Sequence, residues 1–501
     1  MLGLVAPGAL LTRIVTKVPL VARSGEVTRV GIPWCQAGEP GRGPRSEGEN
    51  MSAQSLGEQT VDLLGRLVRL GCVNDLTADS GGEERAADLL EDFFAGLPVS
   101  IERITPHPGR TSLVVTVEGA DPRGAGTPLT LIGHTDVVPV DEAKWIRDPF
   151  GAQIEDDVMW GRGTVDMLHL TAAMAVVTRE VARRAQDGNP PARSLVFVAA
   201  ADEEARGGLG VPWICEHRAD ALPWDAALSE MGGAHIRGRR GGDSVVVVVG
   251  EKGAAQRRLH IRGDAGHGSV PLGRTSAVER LAQVSAALSS ARWPTATDEV
   301  WASFVRAFEF DLATETSLIH GTYEGDYTEF GDLAAFAHAI SHVTVAQTVA
   351  HSGGPINVMP SHATLELDIR TLPGVDDDDV DAAIAAALGD LAEHVTIERL
   401  LCEDATASSI DTDLYRAIEA ALTQRYPDAS VVPVLFPGGT DLRVARRRGG
   451  IGYGFGAVDS GASLGQVYSQ LHAHDEHIAL VDVRATAEVL HEVATTYLTH
   501  V

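Results

Sequence analysis

The stretch LIGHTDVVPV, Leu131 to Val140, places an imidazole at His134 and a carboxylate at Asp136, where a buried apolar strand should end. Residues two apart in extended chain point to the same side. Asp136 can therefore approach the His134 ring and fix which nitrogen is free, the service a carboxylate gives a metal-binding histidine. Alone, His-x-Asp is weak evidence and is equally at home as a structural or solvent-facing pair. Further carboxylates repeat the placement: DDVMWGRGTVDML carries Asp166 after a Gly-rich turn, FVAAADEEARGG ends a strand with Glu203–Glu204, and ALSEMGG ends an apolar run with Glu230. One such residue is a cap or a loop residue. Repetition at successive strand ends points to a common site, because open α/β sheets gather functional groups beyond the carboxyl ends of their strands. QLHAHDEHIAL adds His472, His474 and His477 near the C-terminus.

The elements that must position these groups are visible as alternating textures. SLVVTVEG, PLTLIGH, SLVFVAA and SVVVVVG read as buried strands, with AADLLEDFFAGL and LTAAMAVVTREVARRA as helices between them. Near-continuous β-branched runs separated by helices predict an α/β sheet, mostly parallel in its centre, with helices on both faces. After Gly253 the pattern changes. QRRLHIRGDA and HATLELDIRTL alternate polar and apolar residues as half-exposed antiparallel strands do, with helical stretches near residues 275–291 and 333–341. The resulting expectation is a catalytic domain in two parts, residues 51–252 and 374–501, interrupted by an inserted α+β domain at residues 253–373. The acidic run Asp376–Asp379 reads as the first turn of a helix, favoured by the helix dipole. Residues 1–50, which include the linker-like GEPGRGPRSEGEN, read as a disordered extension.

Composition removes several classes of function. The formal charge is -28, which opposes binding to nucleic-acid phosphates and to anionic membranes. No run approaches the roughly 20 apolar residues of a membrane span. The four cysteines have no CxxC spacing and suit free thiols in a reducing compartment, so a cytoplasmic location is expected. There is no HExxH zinc motif, and the Gly161–Gly163 turn lacks the third glycine of a dinucleotide fingerprint.

From Met51 to Val501 the chain resembles the M20 family of dinuclear zinc peptidases and amidohydrolases, which includes carboxypeptidases, aminoacylases and succinyl-diaminopimelate desuccinylases. The resemblance rests on an ordered set of motifs: GHTDVVPV, WGRGTVDM, DEE, SEMGG, GHGSVP, NVMP with a later arginine, GGTDLR and HAHDE. It implies that His134, Asp166, Glu204, Glu230 and His472 hold two metal ions, with Asp166 bridging them. It further implies that Glu203 is the general base and that Asp136 orients His134. His474, two residues past His472, is the competing ligand. His267 resembles a histidine that reaches the active site from a partner subunit, and Asn357 and Arg370 resemble residues that bind a substrate carboxylate. Arginine suits that task because its fork grips a carboxylate bidentately. Gly439 resembles a loop glycine whose backbone faces the substrate. Leu168 and His169 depart from the Lys-Gly usual after the bridging aspartate.

Two imidazoles and three carboxylates suit zinc, with cobalt or manganese as alternatives. Zinc brings bound water to a pKa of about 7, and Glu203 would take its proton and later return it to the leaving amine. The resemblance thus implies a zinc-dependent homodimer that cleaves a dipeptide or an N-acyl amino acid bearing a free carboxylate. A biosynthetic deacylase acting on N-acetylornithine or N-succinyl-diaminopimelate is the alternative within the enzyme class. A non-catalytic binding protein on the same fold is the alternative outside it, disfavoured by retention of Glu203 with all five ligands.

Overall fold

The computed structural model describes residues 55–120 and 126–499; the expected disordered extension at residues 1–50 lies outside them. The largest sheet has 10 strands. Its centre is the parallel set Leu195–Ala200, Leu129–His134, Ala226–Ser229 and Ile451–Gly454. Antiparallel strands Arg110–Val117 and Ser100–His107 extend one side. On the other side lies Asp243–Glu251, which pairs in parallel with Ala429–Phe436.

Leu131 and Phe197 face one apolar core with Leu63, Leu64, Val176 and Leu490, which come from helices Leu56–Leu70, Leu168–Gln186 and Leu480–Thr499. Their neighbours Ile132 and Val198 face the opposite side, against Val211, Ile214 and Leu442 of helices Val211–His217 and Leu442–Arg447. Burial on both faces explains why these strands are written without polar alternation.

A second, antiparallel sheet contains Thr344–Ser352, His362–Thr371, Arg257–Arg262 and Val395–Arg399, with the short strand Gly253–Ala254. The burial of His362–Thr371 alternates along its length, as its sequence pattern predicts. Helices Ala277–Ser290 and Asp377–Leu388 supply Val284, Leu288, Val380 and Ile384 to the core beneath Leu259, Leu365 and Leu367. The first of these helices opens on a reciprocal capping box between Ser276 and Glu279. Asp376 caps the second by accepting from the backbone N–H groups of Asp378 and Asp379, both at 2.9 Å, so the acidic run is a helix start.

Helices Glu299–Ala307 and Leu312–Ile319 fall in a stretch that the periodicity left unassigned. An aromatic cluster holds them: Phe304 lies 5.7 Å from Trp301 and 5.9 Å from Phe330, centroid to centroid. The pattern of Asp243–Glu251 also gains an explanation. Val245, Val247 and Val249 enter the first core, while Val246 and Val248 enter the second. A run of valines without alternation is what a strand shared between two cores requires.

Close approach of backbones fixes the edge of the site. A methyl group on Gly454 would lie 2.2 Å from the carbonyl oxygen of Glu230 and 2.6 Å from that of Met231. Gly454→Ala is expected to lower unfolding stability by about 1–3 kcal/mol through forced backbone movement. Urea unfolding of the variant with a midpoint equal to wild type would contradict this packing.

Candidate metal centre

Four strands deliver the candidate site from their carboxyl ends. His134 is the last residue of Leu129–His134, Glu203 and Glu204 open a turn just past Leu195–Ala200, Glu230 follows Ala226–Ser229, and Gly439 lies beyond Ala429–Phe436. Two loops complete it with Asp166 and His472. The ligand atoms of His134, Glu203 and Glu230 lie within 4.8 Å of one another, as do those of His134, Asp166 and Glu204. Asp166 sits between the two imidazoles. Its Oδ1 is 3.3 Å from Nε2 of His134 and its Oδ2 is 3.4 Å from Nε2 of His472, while Glu204 Oε2 is 3.2 Å from the same His472 nitrogen. The residues expected to hold metal therefore converge, with Glu203 in one group and His472 joined through its contacts with Asp166 and Glu204, although neither His472 nor His474 is in either group of three.

Asp136 works differently from the sequence expectation. Its backbone carbonyl, not its carboxylate, meets Nδ1 of His134 at 2.9 Å; carboxylate Oδ1 stands 3.6 Å from that nitrogen. The carboxylate instead accepts from the backbone N–H groups of Glu203 and Glu204, at 3.2 and 3.1 Å, and from Asn74 Nδ2 at 2.8 Å. One residue thus fixes the imidazole with its main chain and the Glu203–Glu204 turn with its side chain.

The next layer was not singled out in the sequence. Glu476 is fully buried and accepts from the backbone N–H groups of Gly163, Val165 and Asp166, at 3.0, 2.7 and 3.1 Å, and from Arg162 Nη1 at 2.7 Å. Arg162 also donates to the carbonyl of Ala473 at 2.9 Å, so this ion pair ties the Asp166 loop to the His472 loop. Asp202, in left-handed conformation at φ 64°, pairs with buried Arg110 and accepts from Asn74 at 3.0 Å. WGRG and HAHDE contain Arg162 and Glu476, but a lone arginine or glutamate in a loop carries no periodic signal.

The centre concentrates negative charge. Burial first, then the charge of Asp166, pushes Glu204 up to about 7 and Glu230 up to about 8. Burial and Glu230 likewise raise Glu203. Asp441 of the GGTDLR motif is pushed up to about 7 by burial, with the neighbouring Asp136 and Glu251 adding to it, and neither of its carboxylate oxygens has a hydrogen-bond partner. Hydrogen bonds to Asp166 and Glu204 push His472 up to about 10. Glu204 Oε1 is also buried without a partner. Orphaned carboxylate oxygens, an aspartate offering one oxygen to each imidazole, and an N/O donor set fit a pair of borderline divalent cations.

The carboxylates and His472 face a cleft of about 430 Å³, whose lining includes Arg206, Arg370, Arg443, Arg447 and Gly439. A methyl on Gly439 would meet Arg443 Nη1 at 2.7 Å, so glycine there leaves room for the guanidinium. Arg370 reaches the cleft while its Nε donates to Asp368 at 2.8 Å. His267 and Asn357 are not in this lining. They lie together at a small exposed antiparallel pair of strands, Gly266–His267 with Val358–Met359, where Gly268 N–H donates to the Asn357 carbonyl at 2.8 Å.

Two outcomes test this arrangement. Glu476→Ala is expected to cost about 3–5 kcal/mol by leaving Arg162 buried and unpaired, measurable by chemical unfolding; a cost under 1 kcal/mol would show that the ion pair does not bind the loops. Cation uptake must also displace protons from Glu204, Glu230 and His472, whose pKa values are all raised. Zinc affinity should therefore fall as pH drops from 8 to 6, with proton release visible in titration calorimetry across buffers of different ionisation enthalpy. Uptake without proton release at pH 7 would contradict the assignment.

Residues 130–496 match peptidase family M20/M25/M40. A probable carboxypeptidase S-like protein 2 of Dictyostelium discoideum is 28% identical over 66% of this chain and 64% of its own length. A succinyl-diaminopimelate desuccinylase of Cereibacter sphaeroides is 30% identical over 50% of this chain and 62% of its own length. Both matches thus span less than two thirds of the relative. Among solved structures, an M20 metallo-carboxypeptidase from Sulfolobus solfataricus superposes with a TM-score of 0.63 at 19% identity, over 88% of this chain and 99% of the other. A dinuclear metal-binding M20 peptidase of Bacillus subtilis gives 0.55 at 13% identity, over 88% and 98%. With most of the sequence covered and the acidic centre inside the matched span, the chain belongs to peptidase family M20/M25/M40.

Proposed function

We propose that the protein is a metal-dependent hydrolase that cleaves the amide bond of a dipeptide or N-acyl amino acid carrying a free carboxylate beside that bond. The observation that carries this reading is the mixed lining of one cleft, in which Arg206, Arg370, Arg443 and Arg447 lie with the carboxylate–imidazole cluster and with Glu251 and Glu403. Guanidinium groups favour a carboxylate, so a substrate carboxylate held by one of them leaves its amide within reach of the cluster.

His134, Asp166, Glu204, Glu230 and His472 would hold the cations, zinc or else cobalt or manganese. When bound, the metals supply polarisation of the scissile carbonyl and acidify a water to near neutrality. Glu203 stands beside Glu230 in this cluster and lines the cleft, where it takes a proton from the attacking water and returns it to the departing nitrogen. Arg370, with one edge of its fork on Asp368, can direct the remaining donors at a carboxylate. His267 and Asn357 stand clear of their own cleft, in keeping with a homodimer in which each copy completes its partner's site. The sheet that starts at Gly253 is then the lid. A biosynthetic desuccinylase is the second reading, favoured by the 30% identity to such enzymes.

Among the described residues no helix is long and apolar enough to cross a membrane.

Glu203→Gln should retain both metals yet lower kcat by about 10²–10⁴-fold, on a panel of dipeptides and N-acyl amino acids followed by mass spectrometry. Equal turnover by variant and wild type would remove Glu203 from the role of base. Arg370→Ala should raise KM for substrates with a free carboxylate and spare their amidated counterparts; an unchanged preference would assign carboxylate binding elsewhere.

A further inference from the structure

Lys252 stands at the joint between the two sheets, just after Asp243–Glu251 and just before the short strand Gly253–Ala254. It is buried. Its backbone N–H donates to the carbonyl of Phe436 at 3.0 Å, which ties its main chain to the first sheet. Its side chain reaches the other way. Nζ donates to the carbonyls of Ala339 and His342, both at 2.6 Å, and to Thr344 Oγ1 at 3.0 Å. These acceptors mark the end of helix Ala334–Ser341 and the start of strand Thr344–Ser352. An ammonium has three N–H groups, and the three oxygens engage all of them. None of these partners carries a charge, so Lys252 is a buried cation held by neutral groups, a costly arrangement. Burial first, then the charge of Arg370, pushes it down to about 7.

Its place supplies a use. Lys252 and Arg370 both line the cleft, and in the second sheet Arg370 is flanked by Thr344 on one side and Ala254 on the other. Lys252 therefore holds one neighbour of Arg370 through its ammonium and the other through the chain, two residues on. With its donors engaged it is not free to grip a ligand itself. Glu251, the residue before it, secures another part of the lining by accepting from the N–H and hydroxyl of Thr440 at 3.1 and 2.7 Å, next to Gly439. We propose that Lys252 is a positioning residue: by fastening the start of strand Thr344–Ser352 to the joint, it sets the Arg370 guanidinium at the distance from the acidic cluster that a substrate carboxylate must span. This inference rests on the reading of Arg370 as the partner of that carboxylate. A planar fork must meet a carboxylate in line to deliver two N–H groups, and a displacement of about 1 Å is enough to lose that alignment.

The test is a double-mutant cycle on the zinc-loaded full chain, with the panel of dipeptides and N-acyl amino acids described above. Steady-state turnover and calorimetric affinity are both read. Lys252→Met should raise KM for substrates with a free carboxylate by about tenfold, the worth of one hydrogen bond to a charged group, while kcat changes little. Thr344→Val, which removes a single acceptor, should move KM in the same direction and keeps the test decisive should Lys252→Met fold poorly. In an Arg370→Ala background, Lys252→Met should add no further loss, because the two changes remove the same contact. A Lys252→Met enzyme that loses stability but keeps wild-type KM and affinity, while Arg370→Ala raises KM, would make Lys252 a structural fastener and overturn the proposal. Additive losses in the double variant would overturn it as well. Arg370→Ala without effect on either measure would overturn the carboxylate reading of Arg370, and the inference with it. The expected pattern in affinity without any turnover by wild type would support the positioning role and overturn the hydrolytic reading instead.

Discussion

The structure is organised around a repulsion. Asp166, Glu203, Glu204 and Glu230 line the cleft, with buried Asp441 near Glu203, at separations where carboxylates oppose one another's ionisation. Left alone, such a group would spread apart or stay protonated. It is contained by a surrounding layer whose own carboxylates are fully engaged: Asp136 holds two backbone N–H groups and Asn74, Asp202 holds Arg110, and Glu476 holds three N–H groups and Arg162. The division is chemical. Outer carboxylates are satisfied by the protein and act as fasteners, while inner ones keep lone pairs unspent and so call for a cation from outside.

This division also accounts for what the sequence did and did not disclose. The inner groups lie where strong periodic signals stop, so His134, Glu203–Glu204 and Glu230 were legible as interruptions of apolar runs. The outer ones were not, because Asn74, Arg110 and Arg162 are single polar residues whose partners lie far along the chain; Arg162 and Glu476 are 314 residues apart. Asp136 was legible as a residue but not in its task, since sequence spacing cannot tell a carboxylate from the carbonyl one bond along the main chain. The parallel centre and alternating second sheet followed from their burial, whereas helices Glu299–Ala307 and Leu312–Ile319 hid behind aromatic packing that has no fixed period.

The cleft and its neighbouring cavity extend the same logic to the ligand. Guanidinium groups line the cleft, and none lines the cavity of about 230 Å³ that shares Glu230 and Met231 with it. A molecule reaching from one to the other would meet different chemistries at its ends, and so be oriented before any bond is broken. Orientation of this kind is what raises the effective concentration of a reacting group.

The shared valine strand has a consequence for how the molecule comes apart. Asp243–Glu251 lends alternate side chains to the two cores, so neither core can open without stripping one face of the strand and exposing the other's backing. Stability is therefore pooled. Denaturation should be a single cooperative event in which both sheets lose protection together, with no surviving half that keeps its fold after the other has melted.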